Sequence, residues 1–321
     1  MNDTRKYSLI LLLIFGLLGL PASSFAAKKL KVVTSLPDLA DIARQVGGDK
    51  VETFSIGKGY QDPHFVDAKP SFVLKLNRAD VFVQVGLDLE VGWVPPLLES
   101  ARNKRIYYGG PGYVDASRGI QLLEVPTADP AKLRAEGDIH IYGNPHYWLD
   151  PENGKIIAQN IYDKLSKMEP ENEPYFKANY DRFVARLDSA MQVWQQKIAP
   201  YKGVKIIAYH NSWPYFAQRF GIEIAGFIEP KPGIPPSPGH LVSVIKKMRA
   251  QNIRVIIISP YYDDKPARSV AQRTDATVVH IAGSVGAFKQ IKTYFDLFDY
   301  DINQLVAAFE QQHILTDGAS K

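Results

Sequence analysis

Three of the seven histidines stand where chemistry could be done, and the chain has no cysteine to compete with them. His64 lies in Gln61-Asp62-Pro63-His64-Phe65, and His146 lies in Asn144-Pro145-His146-Tyr147-Trp148-Leu149-Asp150-Pro151. His210 directly follows the apolar run Val204 to Tyr209. Without cysteine there is no thiolate metal site, disulfide, cysteine nucleophile or iron–sulfur cluster. Any metal must be held by imidazole and carboxylate, and neutral imidazole suits zinc and other borderline divalent ions. Two of the three histidines follow a proline, which fixes the local backbone and limits where the ring can wander. Yet a lone loop histidine is more often solvated or hydrogen-bonded than a ligand. The three match no compact motif such as HExxH. His140 and His313 have polar neighbours, His280 ends a strand-like run and His240 opens a helical one. Residue types alone leave a dispersed metal site and a set of ordinary polar histidines both open.

The elements that would position these residues alternate along the chain. Val32 to Thr34, Val51 to Ile56 and Val81 to Val85 read as strands, with helical patterns at Leu36 to Val46 and Ser71 to Asn77. A helix should also begin near Asn153. The second half repeats the pattern, with strands at Val204–Tyr209, Ile224–Ile228, Val255–Ile258 and Thr277–Ile281 and helices at Trp213–Phe220 and Leu241–Gln251. Such alternation indicates βαβ units and parallel sheets. Ligands of open α/β sheets bind outside the carboxyl ends of strands, and all three histidines lie at loop ends beside the sheets, His64 and His210 after strands and His146 just before a helix. Between the halves, Tyr175 to Ala199 carries neither Gly nor Pro and is bounded by Pro174 and Pro200. Phe176, Tyr180, Phe183, Leu187, Met191 and Trp194 recur there at the period of one helix face. A helix of that length spans about 38 Å, enough to cross a domain. A dimerising coiled coil fits less well, because the stripe is aromatic-rich and short. The fold expected is α/β, two Rossmann-like lobes with parallel sheets joined by one long rigid helix. Its divisions fall at 1–26, 27–174, 175–199 and 200–321, and Thr127 to Gly143 reads as an irregular insertion.

Composition agrees with a folded chain: 45% of the 321 residues are hydrophobic and 22% charged. The length exceeds what one core needs. A net charge of +4 is too mild and dispersed for a nucleic-acid binder. Residues 1–26 read as a cleaved signal peptide: Arg5 and Lys6, then the apolar Leu9 to Leu20, then Ser24-Phe25-Ala26. The apolar run is shorter than the roughly 20 residues of a membrane span. No cysteine follows the cleavage point, so lipidation there is excluded. The mature protein is expected free in a periplasm.

The segments Val32-Val33-Thr34-Ser35, Asp62-Pro63-His64 followed by Pro70-Ser71, and Asn144-Pro145-His146-Tyr147-Trp148-Leu149-Asp150-Pro151 together resemble the metal-binding solute-binding proteins of ABC importers. These are the zinc and manganese binders of cluster A-I. Tyr209-His210 with Tyr215-Phe216 and Gly221 is similar to the third ligand region of that family. Tyr180, Phe183 and Leu187 resemble its linking helix, and Asp263-Asp264-Lys265-Pro266 a late segment. The resemblance covers nearly the whole mature chain. It implies a metal buried between two lobes, with His64 and His146 from the first, His210 from the second, and an inner-membrane ABC permease as partner. A histidine at the third position resembles the zinc members, so Zn²⁺ is the expected cargo, with Mn²⁺ or Fe²⁺ as alternatives.

The aspartate that usually completes the family's site is absent; its region reads His280-Ile281-Ala282-Gly283-Ser284-Val285-Gly286. Glu229, in a proline-rich loop after the Ile224–Ile228 strand, is the first substitute, as ligand or as partner to a histidine N–H. Asp263, Asp264 and a water are the others, although paired acids there more often cap the following helix. The histidine-rich loop of some zinc members is missing as well. No enzyme activity is expected. The competing class is a secreted zinc hydrolase with three histidines, an open water position and Glu229 as base. Against it, the ligands are split between lobes and no hydrolase motif occurs. An adhesin is a third class that nothing in the residues requires, and a monomer is expected.

Overall fold

Short β-branched runs make the strands, and those at the sheet centres are buried on both faces, as parallel strands between helix layers must be. In the computed structural model, residues 28–127 and 140–314 are described; the leader assigned to 1–26 and most of the insertion assigned to 127–143 lie outside them. The first half runs β1 (Leu30–Thr34), α1 (Pro37–Gly47), β2 (Val51–Ser55), α2 (Pro70–Asn77), β3 (Val81–Gln84), α3 (Val94–Ala101), β4 (Tyr113–Asp115) and α4 (Pro151–Met168). After α5 (Glu173–Ile198) come β5 (Lys205–Ala208), α6 (Pro214–Phe220), β6 (Glu223–Phe227), α7 (Pro238–Ala250), β7 (Val255–Ile258), α8 (Asp264–Ala271), β8 (Thr277–His280) and α9 (Tyr294–Gln311). The sheet orders are β2-β1-β3-β4 and β6-β5-β7-β8. Every pairing is parallel. In both sheets the first strand is flanked by the next two, so the winding reverses there and leaves a crevice at the carboxyl ends.

The expected architecture is therefore present, with strand ends shifted by a residue or two, as helix and strand ends usually are. β4 escaped the sequence because three residues show no periodicity. The connecting helix starts at Glu173 rather than Tyr175, since Pro174 sits in the first turn, where its missing N–H has no helical partner to lose. Its buried face is Phe176, Asn179, Phe183, Leu187, Met191, Trp194 and Ile198. Tyr180 lies beside that face, stacked on Tyr162 at 5.4 Å between ring centroids. The buried stripe packs on α1, α4 and α9 of the same chain, which leaves no seam for a coiled coil.

At one end of α5, Asn179 donates to the Val46 carbonyl at 3.1 Å, and at the other Trp194 Nε1 donates to Asp299 at 2.7 Å. The helix is thus fastened to both halves. One apolar cluster runs from Val32 and Leu39 through Phe183 and Trp194 to Tyr294 and Phe309, so the halves share a core. Smaller clusters, around Phe82 and Leu97 and around Ile256 and Met248, cover the other sheet faces. Among the described residues no helix is long and apolar enough to cross a membrane.

Candidate metal centre

His64 and His146 are held by the same local device. In Asp62-Pro63-His64, one Asp62 oxygen accepts from the His64 backbone N–H at 3.0 Å and from its ring Nδ1 at 2.7 Å. In Asn144-Pro145-His146, the Asn144 side-chain oxygen accepts from the His146 backbone N–H at 3.0 Å and from its Nδ1 at 2.9 Å. The proline fixes the turn while the residue before it locks the ring. The Asn144 amide is oriented by its own donations, to Glu124 at 2.9 Å and to the Asn211 carbonyl at 2.9 Å. His210 follows β5 and is braced differently, its Nδ1 donating to Glu229 at 2.5 Å. Carboxylate and amide oxygens only accept, so each Nδ1 carries a proton, and in the neutral ring that binds metal each Nε2 keeps a lone pair.

These three side chains are buried, and one ligand atom of each lies within 4.8 Å of the others. Their ring centroids are 5.2, 5.3 and 5.6 Å apart. His146 Nε2 is buried with no hydrogen-bond partner, which is costly unless something outside the protein uses it. Zinc–nitrogen bonds of about 2.0–2.1 Å put ligand nitrogens about 3.3 Å apart in a tetrahedron, so a modest inward shift would close the set on one ion. A cleft of about 230 Å³, lined by Asp62, Tyr209, Glu229 and Tyr262 among others, lies against His64 and His210. Burial, reinforced by the facing imidazoles of His64, His210 and His140, holds the His146 pKa well below its ordinary value. Both effects keep this imidazole neutral, the form that binds metal. Burial works against the charge of Asp62, but its bonds to His64 outweigh that and keep its carboxyl below the usual range.

The structure thus brings His64, His146 and His210 together, and does not bring Glu229 into their cluster. One Glu229 oxygen is taken by His210, and the other accepts the Gly233 N–H at 2.7 Å. Its place is behind the imidazole, where it orients the ring and makes the nitrogen more basic. Asp263 caps α8 by accepting from Lys265 N–H at 3.1 Å, and Asp264 bonds Arg268 and His280. Neither belongs to the cluster. His240 lies 3.1 Å from the Phe227 carbonyl, outside it as well. The sequence reading missed His140, whose Nε2 is 3.1 Å from His64 Nε2 and whose ring stacks on that of His64 at 5.1 Å. Burial and the rings of His64 and His210 push the His140 pKa down to about 3. It also missed the bracing roles of Asp62 and Asn144. The repeated pattern of Asp or Asn, then Pro, then His could have revealed those; nothing beside His140 marks it.

The family model described as "ZnuA: Zinc-uptake complex component A periplasmic" matches residues 32–308. The metal ABC transporter substrate-binding lipoprotein SloC of Streptococcus mutans is 28% identical over 318 residues, covering 96% of this chain and 100% of its own length. The manganese ABC transporter substrate-binding lipoprotein PsaA of Streptococcus pneumoniae is 27% identical over 279 residues, 84% of this chain and 86% of its own. A crystal structure of ZnuA superposes with a TM-score of 0.73 at 23% identity, covering 88% of this chain and 99% of that one. A Mn-bound periplasmic metal binding protein from Candidatus Liberibacter asiaticus gives 0.70 at 22%, over 87% and 99%. At these identities the two structures speak for the fold.

Proposed function

The chain belongs to the family of periplasmic zinc-uptake component A proteins, and from that membership we propose that it is the zinc-capturing subunit of an ABC importer. It is a substrate-binding protein for a divalent metal ion and not an enzyme, as its family and relatives are. The hydrolase reading fails on geometry too, because the base it needs, Glu229, has both oxygens engaged. In our reading His64 and His146, from the lobe of residues 27–174, and His210, from the lobe of 200–321, grip the ion through Nε2. Residues 175–199 hold the lobes at a set distance. The leader at 1–26 exports the chain, which works as a monomer outside the inner membrane and passes its cargo to a permease there.

The observation that carries this proposal is the cluster itself: three buried imidazoles, each with Nδ1 spent on a brace, and with one ligand atom of each within 4.8 Å of the others. The relatives' names include manganese, but nitrogen donors favour zinc, whereas manganese prefers oxygen. The test is metal analysis of the protein as isolated, followed by competitive titration of the stripped protein with zinc and manganese. One zinc per chain and much weaker manganese binding are expected. Equal affinity for both ions, or full zinc stoichiometry in His64→Ala, His146→Ala and His210→Ala alike, overturns the proposal.

A further inference from the structure

We propose that His140 is the fourth ligand, so that the ion is held by four imidazoles and by no carboxylate. The inference rests on the zinc-binding reading above and deepens it. Its starting point is the distance of 3.1 Å between the Nε2 atoms of His140 and His64. His64 donates its Nδ1–H to Asp62, so in the neutral ring that a metal requires its Nε2 can only accept. Without an ion, His140 must then supply the proton between the two nitrogens. With an ion the same two atoms are already close to the tetrahedral spacing of about 3.3 Å, and the His140 proton needs only to move to Nδ1. The ring of His140 also faces His146, with centroids 6.2 Å apart. Three of the four imidazoles therefore come from the first half, and His210 comes from the second.

A fourth imidazole also accounts for how the site's charge is met. Four neutral rings leave a divalent cation uncompensated, and the two carboxylates that balance it stand one hydrogen bond back: Asp62 behind His64 at 2.7 Å and Glu229 behind His210 at 2.5 Å. Negative charge placed there strengthens the imidazole nitrogens without adding an oxygen ligand that would welcome manganese. The segment Ile281 to Gly286, where a late aspartate could have stood, is free to serve elsewhere.

The ligand count can be read directly. X-ray absorption at the zinc edge of the loaded protein should show four nitrogen neighbours with the outer scattering of four imidazoles, and three imidazoles plus one oxygen in His140→Ala. Titration of that variant should show zinc affinity reduced roughly a hundredfold or more, with manganese affinity little changed, so that discrimination narrows. Its circular dichroism should match that of the parent. Three imidazoles plus one oxygen in the unmutated protein, or identical spectra and affinities in the two proteins, overturns the assignment of His140. Failure of the underlying zinc reading looks different: the unmutated protein would then bind no stoichiometric zinc at all. The parent spectrum decides the ligand count even if the variant folds poorly.

Discussion

The two halves meet at a seam of carboxylates and aromatics and at a cluster of imidazoles, and the two are built on opposite logic. At the seam, Asp38 of α1 accepts from the Ser284 hydroxyl and from Val285 N–H at 3.0 Å, and Asp41 accepts from Tyr294 N–H at 2.8 Å. Trp148 Nε1 donates to the Gly283 carbonyl at 2.9 Å, and the Tyr294 hydroxyl donates to the Trp148 carbonyl at 2.5 Å. The protein supplies both partners of each of these bonds. At the cluster it supplies the braces but leaves the buried His146 Nε2 without a partner. The seam thus joins the halves by bonds the protein makes to itself, whereas in the proposed function the cluster is completed by the ion. Binding energy then need not go into ordering the interface, which is the general benefit of preorganisation.

The largest expected effect tests that division. Structural zinc sites contribute roughly 10–16 kcal/mol in all, so removing one of a few ligands should cost on the order of 3 kcal/mol, a hundredfold or more in affinity. His64→Ala, His146→Ala and His210→Ala should each show that loss in competitive titration, while Asp38→Asn should bind zinc as the parent does. Loss of zinc in Asp38→Asn would mean that seam and cluster are one cooperative unit.

Next in size is Glu229→Gln, which keeps an acceptor on His210 Nδ1 and removes the charge. Losing a partner that stands behind a ligand typically costs 10–100-fold in affinity. Zinc affinity should therefore fall by about that factor with stoichiometry kept at one. A loss as deep as that of His210→Ala would instead place Glu229 on the ion itself.

These residues were not equally legible in the sequence. The strands could be read because a parallel strand between helix layers is a continuous apolar run, as Val255–Ile258 is. The long helix could be read because two prolines bound an uninterrupted stripe. His64, His146 and His210 stood out through their neighbours and the ends of strands. His140 did not, because its role is set by His64, 76 residues earlier, and by nothing adjacent to it. The same holds for Ser284, whose partner Asp38 lies 246 residues away. Pairing at that range is a property of the folded path and leaves no mark on either neighbourhood.

Ser284→Ala tests the seam from its other side. It strips a donor from a fully buried carboxylate, a change that costs about 1–3 kcal/mol. For a chain of this size that is a fall of roughly 1.5–2 °C in melting temperature per kcal/mol, measured with chelator present. Zinc affinity should not change. A change in affinity without a fall in melting temperature would reverse the roles given to the two regions.

The smallest effect is the pH dependence that the seam imposes. Burial, helped by the nearby charge of Asp41 and opposed by the bonds from Ser284 and Val285, raises the Asp38 pKa from 3.8 to about 6. A carboxyl that is harder to ionise when folded binds its proton more tightly in the folded state than in the unfolded one. Its contribution to stability is fully present below pH 3.8 and is lost as the pH rises through about 6. Between about pH 5 and 7 that loss amounts to on the order of 1 kcal/mol. Asp38→Asn carries no such proton. The melting temperature of the parent, relative to that of Asp38→Asn, should therefore drop by roughly 1.5–2 °C over that interval in chelated protein. The comparison cancels the titrating groups that do not interact with Asp38, including Glu90, whose pKa burial raises to about 7. A gap that stays constant across the interval would show that Asp38 stays ionised in the fold throughout it and that the seam imposes no such pH dependence.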